Sequence, residues 1–492
     1  MITSPKLIRF ADCIPQDIEG YDQLVLEDKA YFLAKTSFDK LLRSLAIKKT
    51  ALRSQLTDFI SIDSASVTKG GGYGYAMKIA NRLGFNGLQS HLVDTGGASI
   101  ASSLGLAAQL IAANPKAGVL LVAADAPKSA LTSVADLKLI NETTLQKEYE
   151  LNRGATLLGM YALMAQRELF ESNKTVEDFL TINEHYRLCA SANERAVRNS
   201  GQIEPKEKKR AVASPYLPSM VAVVSDHGCA WLMVGPENEL YQESGVYVRG
   251  WSQNFHSEYF CFKEPSYSPA VLSGKRALEM AGVQNSDLDY AWLYDCFTGM
   301  MARQAAAIFD NSYALQVDHL KKGEVSWEGK SIPVNQDGGL MNVQAAMSLS
   351  GACGLVDVSK RMNFYANTDA SPGNKTCSLL LGNGGVDSVN AAIVLSSSPG
   401  RIHAIERPYE LPFNEPPTEK FQGLLYSYTK VLLAPGSPLR APYILAQVKN
   451  PQGQIWMGPL FSNRGESVDE RDLKLDETSI QVKADLTSAV LL

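Results

Sequence analysis

No C-x-x-C pair occurs among the seven cysteines, Cys13, Cys189, Cys229, Cys261, Cys296, Cys353 and Cys377. They are scattered and odd in number, which argues against a disulfide framework and against a structural zinc. Positive charge is not in surplus either, with 47 Lys and Arg against 52 Asp and Glu, a net −5. Spread over 492 residues, that balance gives no argument for nucleic acid or an anionic membrane. By composition we expect no uncharged apolar stretch of about 18 residues, hence no membrane span. The opening Met1-Ile2-Thr3-Ser4-Pro5-Lys6 lacks the basic-then-apolar order of a secretory signal. The closing Ala489-Val490-Leu491-Leu492 is not a peroxisomal address, so a cytoplasmic protein is the expectation.

What is present is a soluble globular composition, 45% apolar and 20% charged. The length exceeds one hydrophobic core, so two or three domains are expected. The centre of the chain is Val93-Asp94-Thr95-Gly96-Gly97-Ala98-Ser99, running on through small and apolar residues to Ala113. It reads as a short buried strand, a two-glycine turn and a helix buried on all sides. Free N–H groups at such a helix start form a site for an anion or a developing oxyanion.

Around this centre the pattern predicts a first strand at Leu7–Ala11, an amphipathic helix over 26–47 and a buried strand at Phe59–Ile62. Lys69-Gly70-Gly71-Gly72-Tyr73-Gly74-Tyr75 has the glycines of a phosphate cradle, but not the Gly-Lys-Ser/Thr ending or the G-x-G-x-x-G spacing. We read it as a loop close to the functional site. Gly118–Ala124 fits a central strand covered on both faces. Residues 125–215 carry charged helical segments and the basic run Lys206-Glu207-Lys208-Lys209-Arg210. A second strand–glycine turn–helix plan recurs from Tyr290 through Gly338-Gly339 and a helix over Val343–Met347, as an internal duplication would leave. After Ser396-Ser397-Ser398-Pro399-Gly400 come short β-rich segments with a hairpin turn at Asn450–Gln454, which suggest a small β-barrel. Barrels of this size also bind nucleic acid, but no basic stripe with aromatics accompanies this one.

The central turn resembles the nucleophile turn of the thiolase superfamily, Val-Asn-x-x-Cys-x-Ser-Gly, with Val93 and Ser99 matching and Gly97 where the cysteine stands. Ser225-Asp226-His227-Gly228-Cys229-Ala230 resembles that family's Ser-Asp-Gly-Ala-Ala strand. Tyr294-Asp295-Cys296-Phe297 resembles the His-Asp-Cys-Phe of the sterol-carrier-protein thiolases. Asn335-Gln336-Asp337-Gly338-Gly339, Ser350-Gly351-Ala352-Cys353-Gly354 and Gly382-Asn383-Gly384-Gly385 resemble its later glycine-rich segments. The motifs run in order over residues 5–398.

The resemblance implies an α/β fold, a five-layered αβαβα core of two similar halves, 1–240 (with a loop domain at about 125–215) and 241–398, with an OB-like barrel over 399–492. It implies a substrate pocket formed by Gly96, Gly97, Ser99, Asn335, Gly338, Gly339, Ser348, Cys353, Leu381 and Gly384. It implies an acyl-CoA thioester as substrate with no permanently bound cofactor, possible CoA contact by the 206–210 run, and a homodimer through the first half's sheet edge. A larger complex with another thiolase-like protein, no nucleic acid and no membrane complete that expectation. For the barrel we prefer a packing or acyl-channel role.

The departures redirect the chemistry. Counting back from Gly351, the family's base falls at Ser348, and its second cysteine falls within Leu379-Leu380-Leu381. A covalent acyl-enzyme needs a nucleophile beside a base, and glycine supplies none. Tyr294 is the candidate catalytic group that remains, a phenol suited to proton transfer in retro-aldol cleavage of a β-hydroxyacyl thioester. Against it stands a buried tyrosine with a satisfied hydroxyl. Asp295 reads as a cap, His227 as structural, and Cys296 and Cys353 as buried fillers or relocated nucleophiles for acyl transfer. A non-catalytic subunit that binds acyl groups or scaffolds a partner is the rival from another class.

Overall fold

The computed structural model describes residues 3–492 except 65–73, 134, 137, 139–141, 143, 210, 258, 310–311, 367–375, 405–413, 435–436, 484 and 486. The glycine loop from Lys69 to Tyr73 therefore lies outside the described residues.

The first half contributes β1 (Lys6–Cys13), α1 (Leu26–Ser44), β2 (Asp58–Ile62), α2 (Tyr75–Arg82), β3 (Gln89–Val93), α3 (Ser99–Ala113) and β4 (Gly118–Asp125). Two long helices follow, α4 (Leu157–Ser172) and α5 (Val176–Ala190), before β5 (His227–Val234) closes this half. The second half contributes β6 (Val246–Phe255), α6 (Ala270–Ala281), β7 (Tyr290–Trp292), α7 (Thr298–Ile308) and α8 (Tyr313–Leu320). A hairpin of β8 (Glu324–Trp327) and β9 (Lys330–Pro333), then α9 (Gly351–Arg361), β10 (Cys377–Gly384) and β11 (Val389–Ser396), complete it.

The two halves repeat one topology. In the first, the strand order is β3-β2-β4-β5-β1, with β2, β3 and β4 parallel and β5 antiparallel to both β4 and β1. In the second it is β7-β10-β11-β6, with β7 parallel to β10, and β11 antiparallel to both β10 and β6. Val334 bridges Ala291 in parallel on the outer side of β7, where the first half has β3. Short β1–β6 pairing joins the half-sheets into one nine-stranded sheet among the described residues.

Helix α3 packs on strands of both half-sheets, and α9 reaches β1 and β10. These two helices are the middle layer. Helices α1 and α2 cover the outer face of the first half-sheet, and α6 with α7 the outer face of the second. Five layers result, αβαβα. Strand β5 shows why: Cys229, Trp231 and Met233 face the middle layer while Ala230, Leu232 and Val234 face α1. A central helix contacting two sheets must be apolar all round, and α3 buries ten of its fifteen residues.

That composition corrects one expectation. Gly96–Ala113 is an uncharged, apolar stretch of 18 residues, long enough by composition to cross a membrane. It is 67% buried within the core, because Ser, Gly and Ala let two sheets close on it. A second correction concerns Val343–Met347, which is not a helix. Its backbone pairs with 223–225 (Ala345 N to Val223 O, 2.9 Å; Ser225 N to Ala345 O, 3.0 Å), and Met347 is left-handed. The counterpart of α3 is α9, which starts only at Gly351.

At the C-terminus, β12 (Phe421–Val431), β13 (Tyr443–Lys449), β14 (Ile455–Phe461), β15 (Ser479–Val482) and β16 (Ala489–Leu491) close a barrel in the order β12-β13-β14-β16-β15. With β14 and β16 parallel and the rest antiparallel, this is OB topology. The barrel sits on α4 through Ser427 Oγ donating to Leu163 O (2.7 Å) and Arg167 Nη1 to Asp476 (2.9 Å). The Tyr443 hydroxyl donates to Gly154 O. Helix α4 itself starts at Thr156, whose side chain accepts from Gly159 N (3.0 Å), a cap worth about 1 kcal/mol.

Candidate active site

Strand β3 delivers the chain to Thr95, and the turn to α3 follows. The expectation of a buried strand is corrected: among the described residues β3 is the edge strand of the sheet, and only its last residue, Val93, is buried. Gly96 is left-handed at φ +55°, a conformation a side chain rarely takes. Gly97 is glycine for another reason. Its backbone angle is ordinary, but a Cβ there would overlap the Tyr294 hydroxyl and ring and lie 2.5 Å from Asn383 O. The phenol of Tyr294 thus fills the space in which a side chain on residue 97 would begin. Gly384 lies against Gly96, its Cα 3.2 Å from where a Gly96 Cβ would be. The hydroxyl of Ser99 accepts from Thr95 N (2.9 Å) and donates to Gly96 O (2.7 Å), so it braces the turn.

Tyr294 arrives at the end of β7, and its backbone N–H donates to Gln304 Oε1 on α7 (2.9 Å). Its side chain is 6% exposed. Burial pushes the phenol well above its ordinary pKa, the Cys296 thiol adds to that, and a hydrogen bond with Ser350 opposes it. At neutral pH Tyr294 is therefore protonated, a donor.

The remaining residues of the expected pocket are Asn335, Gly338, Gly339, Ser348, Cys353 and Leu381. Asn335 bridges Leu293 with both amide atoms (Nδ2 to O, 2.8 Å; N to Oδ1, 2.9 Å) and donates to Asp295 Oδ1 (3.0 Å). Asp295 Oδ1 accepts from Leu340 N (2.9 Å), capping the turn at Gly339, while Gly338 packs on Ala190. Burial lifts the Asp295 carboxyl to about 7 against these bonds. Ser348 lies in a single 3-10 turn, Met347–Leu349, just before Ser350. The Cys353 thiol points to Asp337 Oδ2 (3.8 Å). The Leu381 side chain lies in the apolar cluster with α4 and α7. The turn therefore gathers Gly96, Gly97, Ser99, Tyr294 and Gly384, and Asn335, Gly338 and Gly339 build the neighbouring Asp295 turn.

Neither candidate cysteine is activated. Burial raises the Cys296 thiol strongly, and burial together with Asp337 and Asp295 raises Cys353. A thiol held so far from ionisation is a poor nucleophile. His227 is 1% exposed and bonded to Asp12 Oδ2 (3.0 Å), where the Arg195 guanidinium also lands (2.8 Å). In the basic run, Lys206 pairs with Glu204 (2.8 Å) and Lys208 with Glu184 (2.6 Å), while Arg210 lies outside the described residues.

Two groups at the site were not singled out from sequence. Tyr161, on α4, lies against Phe297 with ring centroids 4.4 Å apart and planes tilted by 30°, and donates its hydroxyl to Gly385 O. Asn383 Nδ2 donates to the Tyr161 oxygen (3.2 Å). The glycine-rich frame around Asn383 was legible, but a tyrosine in an apolar helix looks like any core tyrosine.

Residues 252–397 match the thiolase C-terminal domain-like family. An acetyl-CoA acetyltransferase of Methanocaldococcus jannaschii is 25% identical over 58% of this chain and 73% of that protein. A benzoylsuccinyl-CoA thiolase subunit of Thauera aromatica is 25% identical over 44% of this chain and 58% of its own length. Among solved structures, a monomeric SCP2-thiolase-like protein type 1 from Mycobacterium smegmatis shares the fold at TM-score 0.71 and 16% identity, covering 99% of this chain and 98% of that one. An Ltp2–ChsH2(DUF35) aldolase superposes at TM-score 0.58 and 18% identity over 80% and 97%. With one strand order repeated in both halves and the glycine turn set between them, the chain has the fold of these thiolase-like proteins, its residues 252–397 match the thiolase C-terminal domain-like family, and a barrel follows its second half.

Proposed function

We propose that this protein binds an acyl-CoA thioester at the Gly96–Gly97 turn and makes or breaks a carbon–carbon bond without a covalent acyl-enzyme, in the retro-aldol sense. One observation carries this reading: a protonated phenol occupies the slot where a nucleophile would project from residue 97. A β-hydroxyacyl thioester needs only proton movement for cleavage. The Cα–Cβ bond breaks, its electron pair passes into the thioester enolate, and the β-oxygen becomes a carbonyl as it loses its proton. Tyr294 relays the proton in one step: its phenol gives a proton to Cα while its oxygen takes the proton leaving the β-hydroxyl, so the phenol is restored and no separate base is required. N–H groups at the start of α3 would hold the enolate oxygen. The CoA thioester is substrate here, with no resident cofactor in the scheme.

The acetyltransferase relatives and the aldolase neighbour support thioester chemistry of this class. The test is to incubate the protein with 3-hydroxyacyl-CoA and follow the released aldehyde or ketone and the shortened acyl-CoA. Tyr294→Phe should lower the rate by about 10²- to 10⁴-fold. A thioester adduct on any cysteine, seen in the intact mass during turnover, would overturn the scheme.

The tight seat of Tyr294 also favours a second reading, a plugged site in a subunit that binds acyl groups without turning them over. Binding of CoA thioesters with no product, alone or with a thiolase-like partner, would select it. Homodimerisation through the free edge of β3 belongs to the proposal as well, and light scattering of the purified chain tests it.

A further inference from the structure

A carbonyl oxygen can only accept a hydrogen bond, so the contact between the Tyr161 hydroxyl and Gly385 O commits the phenolic proton to Gly385. The Tyr161 oxygen must then accept from Asn383, which turns the amide nitrogen of Asn383 toward Tyr161 at 3.2 Å. Its carbonyl, Oδ1, is left facing away from Tyr161. Asn383 is 2% exposed, and among the described residues Oδ1 has no partner. The same residue's backbone oxygen borders the slot filled by the Tyr294 hydroxyl. Cys296, half-buried, interacts with both Tyr161 and Tyr294. A buried acceptor without a donor is costly and marks a place that a ligand's O–H or N–H would fill.

We infer that Asn383 Oδ1 is the recognition point for the substrate's β-hydroxyl group in the bound ground state, before that proton passes to Tyr294, and that Tyr161 is the positioning residue that fixes the amide in the accepting orientation. The inference rests on the thioester reading above and names its substrate class: 3-hydroxyacyl thioesters in preference to 3-oxoacyl or saturated ones. A 3-oxo group offers the amide carbonyl only another acceptor, and a saturated chain offers nothing. Both leave Oδ1 unpaired.

The experiment is calorimetric binding of 3-hydroxyoctanoyl-CoA, 3-oxooctanoyl-CoA and octanoyl-CoA to the full chain. The wild type should bind the hydroxy compound at least about tenfold more tightly than the other two. Asn383→Leu should bring that ratio to about one. Tyr161→Phe releases the amide to rotate and should lower the ratio in the same way. A merely structural role for Tyr161 would weaken all three ligands together. If Asn383→Leu fails to fold, judged by its circular dichroism, Tyr161→Phe decides. A wild-type ratio near one, with all three bound, overturns the hydroxyl assignment and leaves thioester binding standing. Failure of all three to bind overturns the functional reading itself, and the hydroxyl assignment with it. A ratio that survives both substitutions overturns the assignment to Asn383.

Discussion

Gly97→Ala is the sharpest perturbation the fold permits. The backbone at Gly97 is not left-handed, so alanine carries no conformational strain there, and any cost is one of space. The added methyl would overlap the Tyr294 hydroxyl and sit 2.5 Å from Asn383 O, closer than the 3.0 Å that real Cβ contacts respect. Asn383 is in β10, paired to Asn390, and cannot retreat. Tyr294 must therefore swing out, giving up its contact with Ser350. Overpacking costs about 1–3 kcal/mol and the lost hydrogen bond about 1 more, so about 3 kcal/mol is expected. Tyr294→Ala alone should cost about 3–5 kcal/mol as a cavity. In the double variant the methyl no longer meets Tyr294 and only its contact with Asn383 O remains, so the two costs should fall short of additivity by at least about 1.5 kcal/mol. Urea unfolding, followed by near- and far-ultraviolet circular dichroism together to check for one transition, measures the cycle. Additivity within about 0.5 kcal/mol would refute the claim that the phenol fills the residue 97 slot.

Three further outcomes are expected. Asp295, lifted to about 7 when folded, binds more protons in the native than in the unfolded state above its ordinary value of 3.8, so stability should fall as pH rises through that window. Asp295→Asn should flatten part of that fall, and an unchanged slope in stability against pH would show that Asp295 does not titrate there. Arg303 is buried between Asp387 (2.8 Å) and Glu168, so Arg303→Met, which strands two buried carboxyls, should cost about 3–5 kcal/mol in urea unfolding. Arg303→Lys should recover little of it, since the guanidinium also holds Pro265 O (2.8 Å) and Tyr267 O (2.6 Å). Iodoacetamide at pH 7 should label Cys296 and Cys353 no faster than a small-molecule thiol, given their raised pKa values, and a rate well above that, read by peptide mass spectrometry, would restore the relocated-nucleophile reading.

How far the sequence could be read depends on which interactions are local. Central strands such as β4 and the helix α3 were legible because their burial is written in runs such as Gly118–Asp125, whereas β3, read as buried, lies largely exposed at the sheet edge. The doubled plan was legible because both halves reuse the turn. The helix expected at Val343–Met347 was not, since its apolar residues serve a pairing with 223–225, more than a hundred positions away. The site shows the same division. Gly97 was visible as an absence of sulfur, yet nothing near it in sequence says that the absence is steric. That follows only when β7 brings Tyr294 across nearly two hundred residues to the turn. Tyr161 was harder still, because its hydroxyl matters through Asn383 on β10 and Gly385 just past its end, and its neighbours on α4 are core residues. A glycine where a nucleophile belongs is therefore a statement about its neighbour, and the side chain to seek is the one that has taken the nucleophile's volume.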